Sequence, residues 1–160
     1  MFLINIDLET SVNRFAAQGL LGDRVIQLKY AYHTLMQRPF FGFGLDKYAY
    51  IEPQIVPYYL KNIIIGAHNG YLAILIQYGV IFGTLILFVI FNKFTQIVVL
   101  YRHLSDVEKA YFYIIVYAFF ASIYETLITG INEFHTILFW IALAFLSYFK
   151  FKTQHENKSL

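Results

Sequence analysis

The sequence predicts an all-α membrane protein: three transmembrane helices preceded by an extracytoplasmic loop segment with a short amphipathic helix. Three observations carry that prediction. Of the 160 residues, 59% are apolar and only 14% charged, with a mean hydropathy of +0.56, and a soluble domain of this length cannot hide so much apolar side chain in one core. The apolarity is uneven, because all three prolines (Pro39, Pro53, Pro57) and most polar residues fall in 1–70, ahead of three nearly continuous apolar runs. Charge is sparse and almost balanced, 12 Lys+Arg against 10 Asp+Glu, without the basic patch of a nucleic-acid binder. There is no cysteine, which removes disulfides, thiolate metal sites and cysteine nucleophiles. The chemistry falls to His, Arg, Tyr and the carboxylates.

The elements follow in chain order. Met1–Ile4 offers four apolar residues before Asn5 and Asp7 with no basic stretch ahead, which is not a signal peptide. A segment of 70 residues on the outer side needs upstream helices to carry it there, so the expectation is the C-terminal part of a longer multispanning protein. Asp23 can cap a helix over 24–37, with Val25, Leu28, Tyr32 and Leu35 as its apolar face. The helix must stop ahead of Pro39, because a proline disfavours helical backbone in the residue before it. The turn Pro39-Phe40-Phe41-Gly42-Phe43-Gly44 combines glycines that accept positive φ with phenylalanines suited to a membrane interface. Residues 45–66 read as an aromatic-rich loop lying on the membrane.

From Tyr71 to Phe91 there are 21 uncharged residues, roughly 31 Å of helix and so the thickness of a bilayer core. A second run, Ala110–Thr129, is 20 residues long and contains one charge, Glu125. A third, Phe134–Phe149, closes at Lys150 and Lys152. Gly79 and Gly83 make a small-residue face on the first span, the usual mark of close helix packing. Basic residues set the orientation, since cytoplasmic flanks retain them. Lys93, Arg102 and Lys109 lie in the connection and Lys150, Lys152 and Lys158 in the tail, against Lys61 alone in 51–70. The domains expected are therefore an extracytoplasmic loop segment, 1–70, and a three-helix transmembrane region with a cytoplasmic tail, 71–160.

The candidate chemistry clusters ahead of the first span. Asn69 is a good N-cap, which stands His68 at a helix N-terminus whose free amides and dipole favour an anion. Histidine is also the side chain best suited to move a proton near neutral pH. The plainer alternative is an interfacial histidine bonded to a loop carbonyl. Arg24 and Arg38 bracket the amphipathic helix, and an arginine fork binds phosphate through two parallel hydrogen bonds; a solvated or snorkelling arginine is the alternative for each. Glu125, about four residues inside the outer end of its span, is a functional candidate or half of a structural pair. Glu133 and His135 can cap the third helix. The five histidines (His33, His68, His103, His135, His155) form no zinc-binding spacing, and no nucleotide-binding loop appears.

Three blocks, taken together, resemble the O-antigen ligase and polysaccharide polymerase family of bacterial envelopes. They are Arg14-Phe15 with Gly22-Asp23-Arg24, then Arg38 through Gly44, then Ala67-His68-Asn69-Gly70-Tyr71-Leu72 with Gln77-Tyr78-Gly79-Val80-Ile81-Phe82-Gly83. The resemblance covers roughly 14–83 and the C-terminal half of family members. It implies a multispanning glycosyltransferase of the cytoplasmic (inner) membrane that needs no cofactor, metal or nucleotide sugar. Its partners would be an undecaprenyl-pyrophosphate-linked glycan, an acceptor glycan or lipid A core, and membrane lipids, with no nucleic acid. Arg24 would match the loop arginine that contacts the pyrophosphate, and His68 the loop histidine at the catalytic centre. Arg38 and Asn69 join them as substrate-binding candidates, and Glu125 as a further one. Ligase and polymerase stay open as alternatives. Two rivals from other classes are a transporter fragment using Glu125 and His135 in an ion path, and a non-catalytic membrane subunit docking through its aromatic loop.

Overall fold

The computed structural model describes residues 20–61, 64, 66–130 and 133–156, with side chains from 24 to 149. The Arg14-Phe15 block lies outside the described residues. Four α-helices follow one another, with no strand among the described residues: α1 (Leu20–Gln37), α2 (Gly70–Leu100), α3 (Asp106–Ala121) and α4 (Phe134–Glu156). One helical stretch, Gly70–His103, is long and apolar enough to cross a membrane by length and composition, and the apolar part of α4, Phe134–Phe149, is shorter.

Helix α1 stops at Gln37, ahead of Pro39 as its sequence requires, but begins at Leu20. Asp23 therefore lies within its first turn and does not cap it. Of the expected face Leu35 is buried, whereas Val25, Leu28 and Tyr32 are exposed, and Gln27, Ala31 and Thr34 point inward in their place. The inward residues are small or hydrogen-bonding because this face meets backbone. Thr34 Oγ1 donates to Tyr30 O at 2.8 Å and accepts from Glu52 N at 3.0 Å, which fastens the loop to the helix. Ala31 and Leu35 pack with Ile51, Val56, Ile64, Ala67 and Ile76.

Helix α2 departs furthest from expectation. At Gly79 the backbone leaves the helix, with φ 74° and ψ 171°, a combination only glycine adopts readily. The arms 70–78 and 80–100 fold back on one another. Tyr71 and Phe91 stack at 5.8 Å between ring centroids, although a straight helix would separate them by about 30 Å. Gly83 lies against Leu75 of the first arm, so the small-residue face does serve close packing, between two arms of one helix.

The turn 39–44 fills the break. Phe43 N and Gly44 N donate to the freed carbonyls of Ile76 and Gln77 at 2.9 and 3.0 Å, and Val80 N donates to Pro39 O at 2.6 Å. Gln77 Nε2 adds a bond to Leu45 O at 2.7 Å. Every backbone group exposed by a helix break needs a partner when buried, and here the turn supplies several. Gly42, at φ 67°, leaves no room for a side chain: a Cβ there would stand 2.5 Å from Gln77 O.

Helix α3 opens with a capping box in which Ser105 N donates to Glu108 Oε2 at 2.7 Å and Glu108 N donates to Ser105 Oγ at 3.4 Å. It ends at Ala121, eight residues before the expected end of the second apolar run, and 122–130 form successive turns. Those turns are stable because their carbonyls have partners outside the helix: Gly70 N donates to Ser122 O at 2.8 Å and to Glu125 O at 3.0 Å, and Asn69 Nδ2 donates to Ile123 O at 2.9 Å. The main core joins Ile74, Ile90, Ile97, Ile115, Phe119, Ile128, Phe139 and Leu146. With Ile74 in this core and Ile76 in the other, the short arm 70–78 is clasped between them.

Candidate functional site

The corner Asn69-Gly70 builds the site. Asn69 caps α2 as expected, its Oδ1 accepting from Leu72 N at 2.8 Å, while its Nδ2 and the next amide grip the turn after α3. The fit at position 70 is close, since a Cβ would stand 3.1 Å from Ser122 Cβ and 3.3 Å from Glu125 O and would press on the turn. This stitching sets His68 beside Glu125, and the packing of Ala31 and Leu35 under α1 sets Arg24 beside both.

The three side chains meet on one carboxylate. Arg24 Nη2 donates to Glu125 Oε1 at 2.7 Å, and His68 Nδ1 lies 3.4 Å from Glu125 Oε2. Side-chain exposures of 31% for Arg24, 36% for His68 and 46% for Glu125 put the cluster half in solvent. An ion pair so exposed contributes about 1 kcal/mol or less, so the contact is easily exchanged. Arg24 uses one arm of its fork, and its Nη1 is buried without a hydrogen-bond partner among the described residues.

A pocket of about 170 Å³ opens beside the cluster, lined in part by Arg24, Leu28, His68, Asn69, Ile123 and Tyr124. Pockets that enclose a whole small ligand run to roughly 300–1,000 Å³, so this one has room for only part of a ligand. A larger concavity, about 790 Å³, lies across the 122–130 turns against Ile86, Ile90 and Trp140 and contains none of the site residues. Chemically, the cluster offers a guanidinium for an anion and an imidazole for a proton at one point of the surface.

Other sequence candidates fall elsewhere or act differently. Three of the first four α2 amides do not stand free for an anion: Gly70 N is taken by Ser122 O and Glu125 O, Ala73 N by Asn69 O, and Leu72 N by Asn69 Oδ1. Asn69 positions the site's backbone through both ends of its amide. Arg38 lies about 21 Å along α1 from Arg24, with its guanidinium over the Phe43 ring at 5.1 Å, and is not brought to the cluster. Glu125 lies four residues beyond the end of α3 in a turn, outside any helix. Glu133 approaches Gly130 and Thr136, and His135 stands exposed, edge-on to Phe134 at 6.1 Å. Sequence reasoning overlooked Tyr48, whose hydroxyl donates to Thr126 O at 3.5 Å and joins the loop to the same turn region. Burial pushes its phenol above the ordinary tyrosine range, keeping it a neutral donor. It overlooked Gln77 and Thr34 as well; the signal available was a polar residue embedded in an apolar run.

No curated protein and no solved structure matches the chain. Residues 1–88 match the family model described as O-antigen ligase (Wzy_C). The match covers more than half of the 160 residues and takes in Arg24, the turn 39–44, His68, Asn69 and the break at Gly79. The chain belongs to the O-antigen ligase family.

Proposed function

We propose that this chain is the outer loop and C-terminal membrane region of a multispanning glycosyltransferase, in which α2, α3 and α4 cross the bacterial cytoplasmic membrane. It transfers a glycan from undecaprenyl pyrophosphate, on the outer face, to the lipid A core or to another carrier-linked unit. In this reading residues 1–70 lie outside and the C-terminal tail lies in the cytoplasm. The observation that carries it is the meeting of Arg24 and His68, 44 positions apart in sequence, on the two oxygens of Glu125 beside a small pocket that both residues line.

Transfer requires two things of the protein, a base and an anion clamp. The acceptor hydroxyl gives its proton to His68 as its oxygen bonds to the anomeric carbon. The bond from that carbon to the pyrophosphate breaks, and the electron pair leaves with the pyrophosphate. Arg24 stabilises the growing charge through charge-assisted hydrogen bonds.

Arg24→Lys separates charge from geometry, because lysine keeps the charge and loses the fork. In the native protein assayed with lipid-linked donor, transfer should fall by about 10² or more, with the amount in the membrane unchanged. Near wild-type transfer by Arg24→Ala would remove the arginine from this role.

A further inference from the structure

Arg24 is held by a carboxylate, and held incompletely. Its Nη2 reaches Glu125 Oε1 at 2.7 Å, while Nη1 is buried and makes no hydrogen bond among the described residues. A guanidinium is built to grip two oxygens at once, so half of its binding capacity is unspent. The second oxygen of Glu125 is directed at His68 Nδ1, but at 3.4 Å, a long contact for a group that shares its charge with an arginine. Glu125 sits in the turns after α3 and is half exposed, its side chain held only by Arg24 and the long contact to His68 among the described residues, so that a stronger anion can exchange with it.

We propose that Glu125 is an exchangeable stand-in for the substrate's phosphate and a positioning residue for His68; this rests on the function proposed above. In the free protein the carboxylate neutralises Arg24 and keeps the guanidinium facing the pocket. An arriving pyrophosphate carries more charge and several acceptor oxygens, displaces the single carboxylate, and turns the guanidinium so that the buried Nη1 also reaches an oxygen. Glu125 is then released to His68. As an acceptor it takes the Nδ1 proton into a short hydrogen bond, which fixes the tautomer and leaves Nε2 as the ring atom that receives a proton. Binding of the donor thereby completes the base, and an imidazole without donor stays loosely held.

The exchange predicts opposite effects on binding and on turnover. With Glu125→Gln the competitor for Arg24 is weakened, so the protein should bind farnesyl pyrophosphate, a soluble probe of the carrier's head, severalfold more tightly than the wild type. Transfer from a glycan-loaded donor should nevertheless fall by about 10² in kcat, because the ring loses its orienting acceptor. Glu125→Asp, which keeps the charge, should recover part of the rate. A Glu125→Gln protein that binds the probe more weakly, or that turns over at the wild-type rate, overturns the exchange. Loss of probe binding in Arg24→Ala is the separate test of the underlying reading, and its failure would leave a distinct signature: all variants binding alike. A second measurement is independent of any Glu125 variant. In wild-type protein with ¹⁵N-labelled histidine, inorganic pyrophosphate should move the His68 Nδ1 proton downfield as its bond to Glu125 shortens, and an unchanged signal at saturation contradicts the exchange.

Discussion

His68→Ala is expected to lower glycan transfer by about 10² to 10⁴, the range for loss of a general base, while the donor still binds and the protein still reaches the membrane. Binding survives because, in the function proposed, Arg24 and not His68 holds the phosphate. Folding survives because His68 is partly exposed, belongs to neither core cluster, and makes as its side-chain polar contact among the described residues the long one to Glu125, so large destabilisation has no source. His33→Ala is the matched control. His33 lies on the same outer segment, exposed on α1 and edge-on to Tyr32 at 6.2 Å, and its removal should leave the rate unchanged. Initial rates with purified native protein and lipid-linked donor decide the matter; more than about a tenth of the wild-type rate in His68→Ala contradicts a general base.

The second large effect is on folding. Gly79→Ala asks an alanine to adopt φ 74° and ψ 171°, a glycine-only region costing about 1–3 kcal/mol, and its Cβ would overlap the backbone of Phe40 and Phe41. Since the hydrogen bonds of 39–44 to Ile76, Gln77 and Val80 all depend on that approach, the turn must detach or the arms must open. A loss of about 3 kcal/mol or more is expected, seen as a sharply lower unfolding midpoint in detergent or as degradation in cells. Gly83→Ala, in regular helix, meets the flexible end of Leu75 at 2.9 Å and its Cα at 3.1 Å; alanine's better helix propensity offsets part of that crowding, so the change should stay within about 1 kcal/mol. Wild-type stability in Gly79→Ala would show that the interlock of turn and break does not hold α2 in shape.

What was legible in the sequence was what local chemistry decides. Asn69 begins α2 because its side chain can satisfy an amide three residues on, and α1 stops before Pro39 because the ring disfavours helical backbone ahead of it. The positive φ of Gly42 and Gly44 follows from a turn that has only glycines to place there. The break at Gly79 was not legible, since both arms are equally apolar and the segment that satisfies the freed carbonyls lies some 35 positions earlier. The faces of α1 were misassigned for a related reason: Val25, Leu28 and Tyr32 are the more apolar set, but the inward face of Gln27, Ala31 and Thr34 is chosen by fit to the loop backbone. Arg24 and His68 are legible both from local chemistry, the Asn69 cap beside His68 and an arginine at the amphipathic helix, and from the family blocks. Their meeting at Glu125 was out of reach, because it requires α3 to end at Ala121, and that end is set by carbonyl partners on Asn69 and Gly70.

The central claim is that a pyrophosphate binds at Arg24 next to His68. It is tested most directly by a structure of the native protein with an undecaprenyl-pyrophosphate-linked donor bound. Phosphate oxygens on both arms of the Arg24 guanidinium, Glu125 turned away from it, and the anomeric carbon facing the His68 ring are the predicted result; a pyrophosphate seated away from Arg24, with the Arg24–Glu125 pair intact, would contradict the account.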